Sequence, residues 1–350
     1  MLFLICDSNQ ANRPLQSFLN LRIFYLKLYS AGEFCHIIKL ANYSIYRGAS
    51  MTTIKNPWIK LKEHIDGEDY ELIAQLENLC IEKDKTALKL ELDYKLGASN
   101  GKKGNIKDLN EFMYFNGQDL IGYIGVSSFG GPWEVNGMVH PEYRGQGVFK
   151  KLSELVLAEG KQRNSGSMLL LSDRKSESGQ DFIAGTGAKY AHSEYEMYLN
   201  QNVQQPMESS GINLRNATNA DAQEIARQNA IYFGEGEPEN IELEDLILPE
   251  EEEKRGMPCY LAEKDQQIIG KVNLQVTSKL GAIFGLGVLP EYRRQGYGRS
   301  ILLMAIEKLR EVGASEIMLQ VAAENANALN LYKSCGFETT STMDYYSLSK

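Results

Sequence analysis

Apolar and polar positions alternate in long blocks through the last third of the chain, and each block changes period where a glycine, a proline or a cluster of charges intervenes. "GAIFGLGV" is an apolar run that closes at Pro290 and reads as a buried strand. The polar stretch "EYRRQGYGR" follows as a connection. From Ser300 to Val312, Leu302, Ile306 and Leu309 recur on one face of a helix, and Gly313 stops it. "EIMLQV" is a further buried strand, "ANALNLYKSCG" a short helix ending at Gly336, and "MDYYSLS" a closing strand. Upstream, "INLRNA" predicts a strand and "ADAQEIARQNAIY" an amphipathic helix with Asn219 as its cap. "ELEDLILPEEEEKR" is a charged connection with a turn or two of helix, and "PCYLAEK" and "QIIGKVNLQV" flank Asp265-Gln266 as a hairpin. The order is mixed α/β: an antiparallel meander, then β–α–β.

The same pattern stands earlier in the chain. "VHPEYRGQGVFKKLSELVL", from Val139, and "VLPEYRRQGYGRSILLMAI", from Val288, share Val, Pro, Glu, Tyr, Arg, Gln and Gly at a constant spacing of 149 residues. The register persists to Gly187 and Gly336, and to Leu199 and Leu348. A gapless match of that length is a duplication, and its period is the size of a domain rather than of a solenoid unit. The first copy carries its own hairpin, "EFMYFNGQDLIGYIGV", with Asn116-Gly117 as the turn. The polar stretch Asn202 to Gly211, with Pro206, divides the copies. The domains expected are therefore 51–203 and 211–350, each a mostly antiparallel sheet flanked by helices. Residues 1–50 show no clear period, and Met51 opens ordinary polar sequence. They are read as a non-native or disordered extension, with Met51 as the natural start.

Composition narrows the function. Formal net charge is −9, from 37 Lys and Arg against 46 Asp and Glu, which argues against a nucleic-acid partner. Five widely spaced cysteines without a CxxC suit reduced thiols and a cytoplasmic location. The four histidines end at His192, so the second copy has no histidine for acid–base chemistry, a Ser–His–Asp triad or a metal site. No apolar run is long enough to cross a membrane.

The connection Arg293 to Gly298 joins a strand to a helix. First-turn amides of a helix lack internal partners and carry partial positive charge, so they bind anions. Gly296 and Gly298 let the backbone curve and let a phosphate approach, and Arg293, Arg294 and Arg299 surround the same mouth. A Walker loop would need a Lys-Ser/Thr pair, which is missing; "GLGVLP" lacks the last glycine of a dinucleotide fingerprint. The remaining pattern, Arg/Gln-x-x-Gly-x-Gly/Ala between strand and helix, is that of acetyl-coenzyme A binding. With "NANALNLYKSCGF" some thirty residues on, the second copy resembles the GCN5-related N-acetyltransferase (GNAT) family over 212–350, and the first copy less fully over about 58–200.

That resemblance implies two tandem acyl-coenzyme A N-acyltransferase domains that use acetyl-CoA as cosubstrate and no metal. It implies cofactor contacts at Leu286, Gly287 and Val288, whose backbone would pair with the pantetheine arm, and at Arg293, Arg294, Gln295, Gly296, Tyr297, Gly298, Arg299 and Ser300, around the pyrophosphate. Asn325 would touch the cofactor arm, and Tyr332 would protonate the departing thiolate. Asn325 and Tyr332 are seven apart and share a helix face. On the residues alone, Asn325 also reads as a helix cap, Tyr332 as a core or rim tyrosine, Arg293 as a structural tie and Cys335 as a small apolar residue. The acceptor implied is the primary amine of a small molecule. A protein N-terminus is the alternative, with Tyr345 and Tyr346 available to a peptide, and a non-catalytic acyl-CoA sensor is a third reading. The general base and the oligomeric state stay open; Glu235, Glu237 and Glu239 lie where an acceptor would enter, and Glu250 to Glu253 read as a solvated run.

The first copy departs from the motif: Phe149 stands for Gly298, Ile183 for Tyr332 and Ser176 for Asn325. It keeps Arg144, Gln146 and Gly147. Glu134, Asn136 and His140 would form a separate polar site or simply face solvent at a sheet edge. The reading is an active second copy and a first copy that is degenerate or regulatory, or that helps shape the acceptor cleft.

Overall fold

The computed structural model describes residues 52–99, 108–128, 131–201, 211–233, 246–277 and 279–348. The extension 1–50, the connection 202–210 and Glu235, Glu237 and Glu239 lie outside the described residues. Ile54–Lys350 form one compact unit.

The first half runs β1 (Pro57–Lys62), α1 (Gly67–Asp84), α2 (Leu92–Ser99), β2 (Glu111–Asn116), β3 (Asp119–Ser127), β4 (Trp133–Val139), α3 (Val148–Gln162), β5 (Met168–Asp173), α4 (Glu177–Ala184) and β6 (Lys189–Leu199). The second runs β7 (Ile212–Asn216), α5 (Ala222–Phe233), α6 (Pro249–Lys254), β8 (Cys259–Lys264), β9 (Gln267–Thr277), β10 (Leu280–Val288), α7 (Tyr297–Glu311), β11 (Glu316–Ala322), α8 (Ala326–Ser334) and β12 (Phe337–Leu348). Every element expected in the second half is present. Two boundaries differ. The helical segment leading into α5 is capped by Thr218, which shares a capping box with Asp221, while Asn219 instead bonds the Glu250 carboxylate. Helix α7 begins at Tyr297, three residues before Ser300, because Gly296 sits at φ +85° and turns the chain straight into it.

The twelve strands among the described residues join one sheet in the order β1-β2-β3-β4-β5-β12-β6-β11-β10-β9-β8-β7. The order shows a strand exchange. By the repeat, β5 corresponds to β11 and β6 to β12. Yet β5 pairs with β12, and β11 pairs with β6. Each half therefore gives its last strand to the other half's sheet. The registers obey the repeat as well: Met318↔Tyr198 in one seam matches Ser347↔Leu169 in the other. Between the exchanged strands, Tyr195↔Thr342 mirrors Ser193↔Asp344. The two halves are related by a pseudo-twofold axis through the pair Glu194↔Met343.

Packing follows the exchange. In the second half α7 buries Ile301, Leu302, Ala305, Ile306 and Leu309 against Ile283, Ile317 and Leu319, and Met197 and Leu199 from β6 belong to that core. In the first half α3 buries Leu152 and Val156 against Phe112 and Ile124, with Leu348 from β12 packed alongside. Separating the halves would strip apolar side chains from both cores.

Candidate active site

Strands β10 and β11 run parallel and pair from Leu280↔Glu316 to Ile283↔Leu319. Beyond that point they part. The split faces of Phe284–Val288 and Gln320–Ala322 form a slot that an extended chain can enter as an added strand. A bulge between Phe284 and Gly287 bends this wall of the slot: one extra residue on β10, with Gly285 at φ +54°. The ammonium of Lys271, 2% exposed, donates to the Gly285 carbonyl at 3.3 Å and to Asn273 Oδ1 at 2.9 Å, and so pins the bulge. The Leu289 amide bonds Ile269 in β9 at 2.9 Å. Amides alternate along a strand, so the Val288 N–H points the other way, into the slot.

At the end of the slot the chain turns into α7. Arg293 donates from Nε to the Val288 carbonyl at 2.9 Å, and Arg144 makes the same tie to Val139 at 3.0 Å. This arginine holds the turn to its strand in both halves. Arg294 lies at φ +63° and reaches Asn327 Oδ1 at 3.4 Å; Gln295 donates back to the Glu291 carbonyl. The amides of Arg299 and Ser300 both donate to the Gly296 carbonyl, at 3.0 and 3.2 Å. By helix geometry Tyr297 and Gly298 are left as the first-turn donors without an internal acceptor. Arg299 turns its guanidinium away from the mouth, to the Ser334 carbonyl at 3.1 Å. Tyr297 is a buried core residue whose hydroxyl pairs with Lys264.

Asn325 caps α8, its Oδ1 accepting from the Ala328 amide at 3.1 Å. Tyr332, about two turns further on, is 8% exposed and lies edge-on to Phe337 at 6.2 Å. Burial alone pushes its phenol up to about 12. Cys335 is fully buried and behaves as core. The acidic run Glu250 to Glu253 forms α6 and is tied locally, with Glu251 to Lys254 and Glu252 to Arg255.

Sequence reading missed Tyr232. A Cβ at Gly287 would lie 2.1 Å from Tyr232 Cε2, so the α5 tyrosine ring rests directly on the bare backbone of β10. Its hydroxyl donates to Gln228 at 2.8 Å, and burial pushes the phenol above its ordinary value. Nothing in the spacing of residues 232 and 287 announces this contact.

In the first half β4 and β5 also part beyond their last paired residues, but no bulge accompanies the split. Strands β3 and β4 pair without a bulge, and β4 pairs with β5 as far as Val135↔Leu170. Phe149 and Phe182 meet edge to face at 4.6 Å. Their counterparts, Gly298 and Leu331, leave room: a Cβ at Gly298 would meet Leu331 only at 3.5 Å. Glu134 and Asn136 are not at a solvent edge, because β4 is an interior strand. Glu134 lies 3.4 Å from Lys89, and Asn136 is 4% exposed. His140 does not join them; it accepts from the Glu142 amide. Tyr345 is fully buried and its hydroxyl donates to Glu194, while Tyr346 donates to Gln180. Among the described residues no group of three His, Cys, Asp or Glu is placed to hold a metal, and no helix is long and apolar enough to cross a membrane.

The acetyltransferase (GNAT) family model matches residues 222–337. The chain is 29% identical over 146 residues to an N-alpha-acetyltransferase of Sulfurisphaera tokodaii, covering 38% of this chain and 84% of that one. It is 28% identical over 239 residues to a mycothiol acetyltransferase of Thermobispora bispora, covering 64% and 79%. That match is longer than the second half, so it extends into the first. In fold it is similar to a tandem GNAT protein from the clavulanic acid biosynthesis pathway, with TM-score 0.61, 14% identity, and coverage of 83% and 98%. With a GNAT acetyltransferase domain over residues 222–337 and the fold of two GNAT-like units in tandem, the chain is an acyltransferase of the GNAT type.

Proposed function

We propose that the second half transfers an acetyl group from acetyl-CoA to the primary amine of a small molecule, by direct attack, with Tyr332 as the general acid. The observation that carries this reading is the bulged split between β10 and β11, which opens onto the first turn of α7. A pantetheine arm fits such a slot as an added strand, and the amides of Tyr297 and Gly298 suit a diphosphate. Leu286, Gly287 and Val288 line one wall of the slot, with the Val288 N–H directed at the developing oxyanion. Arg294, Gln295 and Gly296 shape the turn. Arg293, Arg299, Ser300 and Asn325 act by holding it and α8 in place.

The neutral amine attacks the thioester carbon; the C–N bond forms, the C–S bond breaks, nitrogen loses a proton and sulfur gains one. A phenol near 12 is a weak acid toward an ordinary thiolate. At the same depth, however, burial also raises the basicity of the leaving sulfur. The phenol then supplies a short hydrogen bond as charge develops and passes its proton as the bond breaks.

A peptide N-terminus is the competing acceptor, favoured by the similarity to an N-alpha-acetyltransferase. The burial of Tyr345 weighs against its direct contact with a peptide. Thiol release from acetyl-CoA, measured with small primary amines and with free-amino peptides, separates the two. Release with neither, alongside binding of desulfo-CoA, would leave only a sensor.

A further inference from the structure

The strand exchange changes which half supplies the wall of this slot. Strand β6, from the first half, is the direct neighbour of β11, with Glu196 opposite Gln320 and Glu194 opposite Ala322. The last paired residue of β11 against β10 is Leu319, so Gln320 is the first residue beyond the split. Side chains alternate along strands. Leu319, Val321, Tyr195 and Met197 face α7 and Tyr332. Glu194, Glu196 and Gln320 therefore face the opposite side of the sheet. There they line one pocket with Lys89, Ser341 and Met343. Neighbouring strands lie about 5 Å apart, so β6 lies about 10 Å from a chain held in the slot, a gap that the acceptor's amine and one water can span from Glu196 across the face of β11.

The carboxylates in this pocket are not equivalent. Glu194 is engaged: the Lys89 ammonium lies 3.2 Å from it and 3.4 Å from Glu134, and donates to the Tyr345 hydroxyl at 2.6 Å. Glu196 has no ion pair among the described residues, and accepts only a hydroxyl bond from Ser341 at 3.3 Å. Burial pushes its carboxyl upward. The Ser341 bond and Lys89 oppose that, and Asp173 and Glu91 add to it. The repeat counterpart of Glu196 is Tyr345, so this carboxylate occurs once at the axis.

We infer that the first half completes the active site of the second, with Glu196 as the carboxylate that receives the acceptor's ammonium and removes its proton before attack. This rests on the acetyl-transfer reading above. The amine enters from the Glu196 side of the sheet, and the thiol leaves from the Tyr332 side. Glu196 takes one proton from the ammonium and releases it to solvent; Tyr332 gives its proton to the leaving sulfur; the second proton, lost by the adduct nitrogen, returns through solvent to the Tyr332 phenolate. The first half then serves as part of the acceptor pocket rather than as a second catalytic unit.

The test uses the full chain with acetyl-CoA and three probes: ethanolamine, glucosamine and a tripeptide with a free N-terminus. In Glu196→Gln, kcat/KM for the best amine is expected to fall by roughly 100-fold or more, with unchanged desulfo-CoA affinity by calorimetry. Its acidic limb, set in the wild type by Glu196 among Lys89, Glu91, Glu134, Asp173, Glu194 and Tyr345, is expected to vanish. Because a folding fault would also lower activity, Glu196→Ala is assayed with added formate, and recovery of rate supports the assignment. Glu196→Gln within about threefold of wild type, with the same pH profile, overturns it and leaves acetyl transfer standing. Wild-type protein that binds desulfo-CoA but releases no thiol with any probe overturns both.

Discussion

Glu194 and Met343 are direct partners across the central strand pair, and they are also each other's counterparts in the 149-residue repeat. A residue paired with its own counterpart marks a twofold axis. The duplicated chain is thus arranged like a dimer that exchanged its last strands and then became covalently joined. The exchange covers β11 with β6 in place of the half's own β12, and it brings Glu196 beside the strand that walls the slot of the other half.

This arrangement predicts that the halves are inseparable. Proteolytic cleavage within 202–210 of the folded protein is expected to leave two fragments that elute together. The isolated segment 211–350 retains β12 but loses β6, so β11 has an open edge and the core around Leu319 loses Met197 and Leu199. It is expected to self-associate or aggregate, read by size-exclusion chromatography with light scattering. A stable monomer of 211–350 would show that β12 can return to β11 and that this half folds without the exchange.

The repeat, the α/β order and the Arg293–Gly298 connection were legible because each rests on local spacing. The helix face Leu302, Ile306 and Leu309 is buried as its period implies. The exchange was not legible, since a sequence repeat encodes the same strands whether each returns to its own half or crosses to the other. The bulge at Gly285 looked like one more glycine in an apolar run, although it places an extra backbone residue in the wall of the slot. Tyr232 on Gly287 and Glu196 beside Gln320 are contacts between distant segments, invisible without the topology. Arg299 was grouped with the phosphate mouth by proximity in sequence, but its position in the first turn of α7 directs it back to Ser334.

Gly287 has no room for a side chain. Gly287→Ala is expected to displace the Tyr232 ring and cost about 1–3 kcal/mol of stability. It is also expected to lower kcat/KM by up to about 100-fold through a shifted slot wall. The pair Gly287→Ala with Tyr232→Leu should recover the stability but not the rate. Urea unfolding and steady-state kinetics read the two effects apart. A single variant of unchanged stability would mean that the ring does not rest on the strand.

Gly298 differs, because a Cβ there meets only ordinary contacts at 3.5 and 3.7 Å. Gly298→Ala is expected to stabilise α7 by up to about 1 kcal/mol. It should also weaken desulfo-CoA binding roughly tenfold, the loss of one charge-assisted hydrogen bond. In the first half Phe149→Ala removes the ring packed on Phe182, at a cost of about 1–3 kcal/mol, and is not expected to create a second binding site. Calorimetric stoichiometry is therefore expected to stay at one desulfo-CoA per chain in both variants. Tighter binding by Gly298→Ala would remove this residue from the phosphate mouth.

Tyr332 makes opposite demands on stability and rate. Its ring is buried but its hydroxyl anchors no side chain among the described residues, so Tyr332→Phe is expected to leave the melting temperature nearly unchanged. The same change removes the proton donor and should lower kcat by about 100-fold or more, with acetyl-CoA affinity retained. The pH dependence follows from the direction of the shift. A phenol near 12 in the folded protein, against about 10 in the unfolded chain, keeps its proton on folding. Between those values the unfolded state binds fewer protons than the native state, so stability falls as pH rises from 10 towards 12. The Phe variant should lose that part of the alkaline slope while other buried tyrosines keep theirs. Urea titrations at pH 8, 10 and 11 on both proteins measure the difference. Parallel curves together with an undiminished kcat would show Tyr332 to be a packing residue and leave proton delivery to another group.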